Sequence, residues 1–435
     1  MILRKSTAAI IAGVVIAIVV IAAVVYVFVL QKPVEEEYRL GILLPLTGTF
    51  ADVAKTQREG VLLAIEEINA KGGLWGRVKV RGIVRDDEAN LDVGVRRFNE
   101  LLTVEKIHGI VGQTWVPMAK AINEQVKRNP MPYFPVCVVS LDMLNKTVIA
   151  NWTFVAMMSA YSIGYASAAY AIQNLNLKKI YFLARSDSWG WDMYKGVQAA
   201  VAKFAGQGAE IVGYNEAPLG HADFSTILMD VINKNPDVFM FAQFGADQVN
   251  VLKQCKAMGI GTGTGAGANI KIFVCWITNV VAASIPPDAL HENVYALHFH
   301  YWNLTGVPGI PTSVQQATAE FVQRYWDRWG YPPDSYAIVA YIATKELFRA
   351  VELAGKEKMT DAAAIAKALI NNPNFDTPKG PARWRVDHEP VYTYAAFVVQ
   401  GKPQNERTGY WDLLKVIGYY TGEEYLPPLS MLGYQ

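Results

Sequence analysis

The chain has 435 residues, 40 Lys and Arg against 39 Asp and Glu, a net charge of +1 and 52% apolar side chains. That length exceeds one small core and predicts two compact lobes, and no basic block points to a nucleic-acid partner. Its three cysteines, Cys137, Cys255 and Cys275, are too far apart for a disulfide framework or a zinc pattern, and read as buried apolar thiols.

From Thr7 to Leu30 the chain carries neither charge nor proline. As a helix rising ~1.5 Å per residue, this segment spans the ~30 Å hydrocarbon layer of a bilayer. Arg4 and Lys5 precede it and Glu35-Glu36-Glu37 follow. Residues 1–6 are therefore expected in the cytoplasm, 7–30 in the membrane, and 31–37 as a spacer on the outside. Three readings stay open. The helix is an uncleaved anchor, or a cleaved secretory signal, or it is kept after a cut at Ser6-Thr7. The last resembles the class III, pilin-like signals of archaeal surface proteins. A signal h-region is shorter and ends at a small-residue site, which is not evident here. A lipoprotein anchor needs a cysteine, and none precedes Cys137.

From Tyr38 onward, strands and helices alternate. "YRLGILLPL" is an apolar strand. "QREGVLLAIEEINA" repeats Val61, Leu62, Ile65 and Ile68 at helical spacing, and "GGLWG" stops it. "VKVRGIV" is a strand, "DVGVRRFNELLTVE" a helix and "IHGIV" a third strand, followed by the loop Gln113 to Val116 and a helical pattern. A second run follows from about residue 160. "KKIYFLA", "AEIVGYNEA", "DVFMFAQ" and "IKIFVC" are strands; "WDMYKGVQAAVAKF", "DFSTILMDVINKN" and "ADQVNVLKQCKAMG" are helices. Two long helices, "SVQQATAEFVQRYWDRWG" and "SYAIVAYIATKELFRAVELAG", and a late strand, "TYAAFVVQ", complete the order. This alternation predicts an α/β protein with two doubly wound parallel-sheet lobes. "GIGTGTGAGAN", 259–269, follows a helix and precedes a strand, so it is a surface connection and not a nucleotide loop.

Several stretches, in order, resemble the type I periplasmic solute-binding proteins of ABC transporters, above all the leucine/isoleucine/valine-binding branch. They are "LPLTG", "INAKGG", "DDEAN", "SDSWGWDMYKG", "DFSTIL", "NPDVFMFAQFG", "LKQCKAMGI" and "DTPKGPARW". The likeness covers 38 to about 400; the tail from about 402 has no counterpart. It implies a hinge of three crossings, placed near 157, 285 and 392. Lobe one is then 38–157 with 285–392, and lobe two 158–284 with 393–435.

The resemblance also implies where ligand sits. The family's carboxylate-binding Ser falls on Val116 and its Thr on Val138; the acidic residue for the ammonium falls on Trp276 or Ile277. The side-chain grip on a free amino acid is thus missing, though loop amides near Val116 and Val138 remain as donors. Rings stand there instead. Trp189 takes the place of a covering Tyr, Phe244 that of another ring, Trp115 sits beside the Ser position, and Trp276 makes a fourth. Such a cleft suits a soft cation, an aromatic or aliphatic side chain, an amide or a flat heterocycle. Cys137 and Cys275 lie near the same strand ends, and Phe50 and Val53 in the first loop. Asp86-Asp87 are expected to cap the next helix.

No catalytic or cofactor motif is present, and none of the described spacings holds a metal. His298 and His300 share a strand face, and Glu66-Glu67 a surface helix. Asn145, Asn151 and Asn303 fit the N-glycosylation pattern. The expected function is an extracytoplasmic, membrane-tethered solute-binding protein. It holds a small molecule by hinge closure and delivers it to ABC permease subunits, with no cofactor and no enzymatic activity. The alternative is a surface sensor, or a protein that self-assembles through its N-terminal helix.

Overall fold

A computed structural model describes residues 36–434. The expected anchor, 7–30, lies outside them; among the described residues no helix is long and apolar enough to cross a membrane.

The first lobe is built on a parallel sheet of four strands in the order β2-β1-β3-β4. Its strands are β1 (Glu37–Leu44), β2 (Lys79–Asp86), β3 (Gly109–Gly112) and β4 (Tyr133–Pro135). Leu40 of β1 lies opposite Gly109, and Ile42 opposite Val111. The second half of β1 is buried on both faces, as a central parallel strand must be. Helices α1 (Ala51–Ala70), α2 (Leu91–Thr103) and α3 (Val116–Arg128) make the crossovers, and a single turn, α4 (Leu141–Leu144), follows β4. Asn90 caps α2, accepting the amides of Asp92 and Val93. The expected caps are engaged elsewhere: Asp86 takes the amides of Leu46 and Glu88, and Asp87 that of Ala89.

The chain then enters the second lobe through α5 (Ala160–Gln173), which is buried almost all round. After it come β5 (Lys179–Arg185), α6 (Ser188–Phe204), β6 (Glu210–Ala217), α7 (Ser225–Lys234), β7 (Val238–Phe241), α8 (Ala246–Ala257), β8 (Lys271–Val274), α9 (Asn279–Ala283) and β9 (Val294–His298). The glycine-rich 259–269 joins α8 to β8, mostly at the surface.

The chain returns to lobe one through α10 (Thr312–Trp329), α11 (Ser335–Ala354) and α12 (Ala362–Asn371). A small antiparallel sheet follows, of β10 (Asn374–Thr377), β11 (Gly380–Trp384) and β12 (Pro390–Tyr392). Finally β13 (Ala396–Gly401) and β14 (Leu414–Tyr420) rejoin the second sheet, whose order is β14-β13-β9-β8-β7-β5-β6.

One expectation changes here. The second crossing lies after residue 298, not near 285, because β9 pairs with β8 and β13 and so belongs to the second sheet. Within the tail from 402, Leu414–Tyr420 form an edge strand, β14, paired antiparallel with β13. Glu66 and Glu67 also do more than face water. Glu67 accepts Arg324 and Tyr341, and Glu66 pairs with Arg328, tying α1 to α10 and α11.

Candidate functional site

In an open parallel sheet the crossovers diverge at one point, and the loops there leave a crevice beyond the strands' carboxyl ends. In the first sheet that point lies between β1 and β3, in the second between β5 and β7. The loops after these four strands line two adjoining cavities. One, of about 580 Å³, is lined by Phe50, Val53, Phe244, Asp247, Val281 and others. The other, of about 340 Å³, is lined by Trp115, Val116, Val138, Trp189, Tyr336 and others. Phe50, Arg185 and Phe244 border both. Both lobes therefore contribute to one cleft.

The rings are set by short-range geometry. Trp115 precedes α3, whose Pro117 suits the first turn, and stacks on Phe50 at 6.5 Å between centroids and 22° between planes. Phe244 meets Tyr336 edge-on at 6.2 Å. Beneath Trp115, Gln113 holds a left-handed backbone with φ 66°. Thr114 Oγ1 donates to Gln57 Oε1 at 2.6 Å, and Gln57 Nε2 to the Val136 carbonyl at 2.9 Å, which ties the loop to α1 and to the strand end.

Trp115, Val116, Val138, Trp189 and Phe244 thus lie on the cleft wall, with Phe50 and Val53. Cys137, Trp276 and Ile277 do not. Each is at most 1% exposed and packed in the core behind the wall, because the strand ends turn these side chains inward. All three cysteines are free and buried, and burial pushes their thiols up, those of Cys137 and Cys275 to about 12.

Arg185 is the residue that sequence reasoning missed. It ends β5 and stands on the cleft wall with its side chain 13% exposed. Its Nε donates to Asp187 Oδ2 at 2.7 Å, and its guanidinium carbon lies 4.4 Å from the centre of a Trp189 ring. One face of Trp189 therefore already serves a cation of the protein, which weighs against a cage for a soft cation. The available signal was a basic residue at the carboxyl end of a strand beside a topological switch point.

The two histidines are structural. His298 bonds Asn279 and Ser335, and His300 bonds Thr318; burial holds His298 down to about 3. No cluster of three metal-binding side chains occurs among the described residues. Of the sequons, Asn303 is exposed and Asn145 half-buried. Asn151 is exposed too, while the Thr153 hydroxyl of its sequon is buried and donates to Asn123.

Comparison with known proteins agrees with this geometry. The periplasmic binding protein family matches residues 37–405. Leu/Ile/Val-binding protein homolog 7 of Brucella abortus is 24% identical over 348 residues, 78% of this chain and 82% of that protein. Among solved structures, an amino acid ABC transporter substrate-binding protein from Pseudomonas fluorescens superposes with a TM-score of 0.77 at 22% identity, covering 92% of this chain and 99% of its own. A solute-binding protein of an R. palustris ABC transporter, in complex with benzoate, has a TM-score of 0.71 at 19% identity, covering 88% and 96%. The chain belongs to the periplasmic binding protein family, whose members bind solutes and are not enzymes.

Proposed function

We propose that this protein is the extracytoplasmic, membrane-tethered solute receptor of an ABC importer. It captures an amino acid or related small molecule between its lobes and delivers it to a permease. One observation carries the reading: two topological switch points, one from each lobe, supply the walls of a single cleft. A ligand that touches both walls gains contacts only when the lobes approach, so it shifts the population toward the closed form. Relatives named for leucine, isoleucine and valine, and a structural neighbour holding benzoate, support a ligand of that size. The apolar stretch 7–30 supports the tether. No observation favours the sensor or self-assembly reading.

The test is a melting screen of the full chain in detergent, followed by its intrinsic tryptophan fluorescence. Amino acids, amides, aromatic acids, quaternary ammonium compounds and sugars are each added in excess. A true ligand at ~100 times its dissociation constant stabilises by ~2.7 kcal/mol, a readable rise in melting temperature. Trp189→Ala is expected to abolish that rise. A folded, empty protein that no small molecule stabilises would overturn the reading.

A further inference from the structure

After β14 the chain leaves the second lobe's sheet once more and runs back to lobe one through residues 421–434. Glu424 pairs with Lys203 of α6, in lobe two. Its neighbour Glu423 pairs with Arg383 of β11, in the small sheet. Tyr425 and Leu426 are buried at this junction, and the Pro427 carbonyl accepts Arg385 Nη1 at 3.0 Å. Beyond Pro428 a short turn, Leu429–Leu432, buries Leu432 in the same core as Tyr425 and Leu426. The Leu432 carbonyl accepts the Lys146 amide at 2.9 Å. Lys146 belongs to lobe one. It follows α4, and the stretch after it is tied to α3 by Asn123, which donates to the Val148 carbonyl at 2.8 Å.

A second contact comes from the loop between β13 and β14. Trp411 stacks on Tyr331 at 5.9 Å between centroids and 24° between planes. The loop is fixed to lobe two, where Lys402 pairs with Asp412 and Arg407 donates to the Pro287 carbonyl at 3.1 Å. Tyr331 lies between α10 and α11 and is fixed to lobe one, its hydroxyl donating to Glu59 of α1. From these two contacts we infer that the tail, 402–434, is an inter-lobe brace that narrows the motion of the ligand-free lobes about the hinge. A simple connection swivels on its backbone dihedrals. This one is docked on both lobes, so rotation of one lobe must shear the stack, break the ion pairs or pull Leu432 from its site. Pro427 and Pro428 fix φ between the junction and the turn, which limits the slack the strap can take up. The family match ends at residue 405, so the brace lies almost wholly beyond the part this chain shares with that family. The inference goes beyond the solute-receptor reading and holds for whichever solute binds, because closure on any ligand works against the same contacts.

The experiment measures the distance between lobes by double electron–electron resonance, on the full chain in detergent with no solute added. Spin labels go on Arg96→Cys of α2 and Asn233→Cys of α7, both exposed, while the three native cysteines are buried. The otherwise native chain is expected to give one narrow distance distribution. Trp411→Ala and Leu432→Ser should each widen it and add a shifted population. Met431→Ala, exposed in the same turn as Leu432, should leave it as it is. A broad distribution in the native chain overturns the inference. So does native width in Trp411→Ala, or in a Leu432→Ser chain that circular dichroism shows to be folded. Equal widening by Met431→Ala would trace the effect to general loosening, and overturns it too. If Leu432→Ser fails to fold, Trp411→Ala decides alone, since its ring is half-buried at the surface. None of these outcomes bears on the solute-receptor reading, which the melting screen tests separately.

Discussion

Glu389 shows how a single buried group couples stability to pH. It lies just before the third crossing, fully buried. Its Oε1 accepts the Ser159 amide at 2.9 Å and the Ser162 hydroxyl at 3.3 Å, both beside the first crossing. Oε2 has no hydrogen-bond partner, and the Arg385 guanidinium stands 3.6 Å away. Burial pushes the Glu389 carboxyl up to about 7; it does the same to Asp87, and pushes Asp334 up to about 6. Groups whose folded pKa is raised bind protons that the unfolded chain has already released. Their stabilisation is fully present below about pH 4 and is lost as pH rises toward 7. The melting temperature is therefore expected to carry a falling component between pH 4 and 7. Glu389→Gln keeps the Oε1 acceptor but removes one titration, so its melting temperature should fall less steeply across that window. Parallel profiles for the two proteins would assign the slope to other groups.

At the scale of elements, close helix pairs hold each lobe together, and glycines permit the approach. A Cβ on Gly164 of α5 would lie 1.9 Å from the Met193 carbonyl oxygen of α6, and one on Gly196 would lie 2.1 Å from that of Tyr161. In the first lobe, a Cβ on Gly60 of α1 would lie 2.0 Å from the Ala337 carbonyl oxygen of α11. Backbone cannot rotate away as a flexible side chain can, so the helices must separate. Gly164→Ala is expected to cost about 1–3 kcal/mol as an overpacked core substitution. Chemical denaturation should show the lowered midpoint with ligand affinity largely kept, since α5 does not line the cleft. The same closeness goes with the burial of α5 on every face, Ser162 and Ser167 included.

The chain passes three times between the lobes' sheets, and Lys379 joins two of these passages. It sits in the tight turn between β10 and β11, fully buried. Its Nζ donates to the carbonyl of Phe299, after β9, at 2.7 Å and to that of Ala395, before β13, at 2.8 Å. The same nitrogen lies 3.4 Å from the Phe299 ring centre, and burial holds its amine well below the usual lysine range. A hinge whose strands share an anchor bends as a unit, so closure is expected as one rigid-body step. Small-angle scattering should record a smaller radius of gyration at saturating ligand. Trp189→Ala, at the same ligand concentration, should keep the open value. An unchanged radius in the native protein would mean that the lobes do not close on the ligand.

The sequence by itself determined the alternation of strand and helix, the parallel strands at the heart of both sheets and the loops that carry the rings, because periodicity and turn chemistry are local properties of the chain. It also placed Trp115, Val116, Val138, Trp189 and Phe244 at strand ends. Tertiary structure decided the rest. Whether Trp276, Ile277 and Cys137 face the cleft or the core depends on which way each strand end turns, and that is set by neighbours far along the chain. β9 joined the second sheet because strand pairing is long-range, so composition could not locate the second crossing. The capping of α2 by Asn90 was decided by competition, since Asp86 and Asp87 found other donors. Arg185 became legible only when folding brought Asp187 to one edge and Trp189 to one face, on the wall of the cleft.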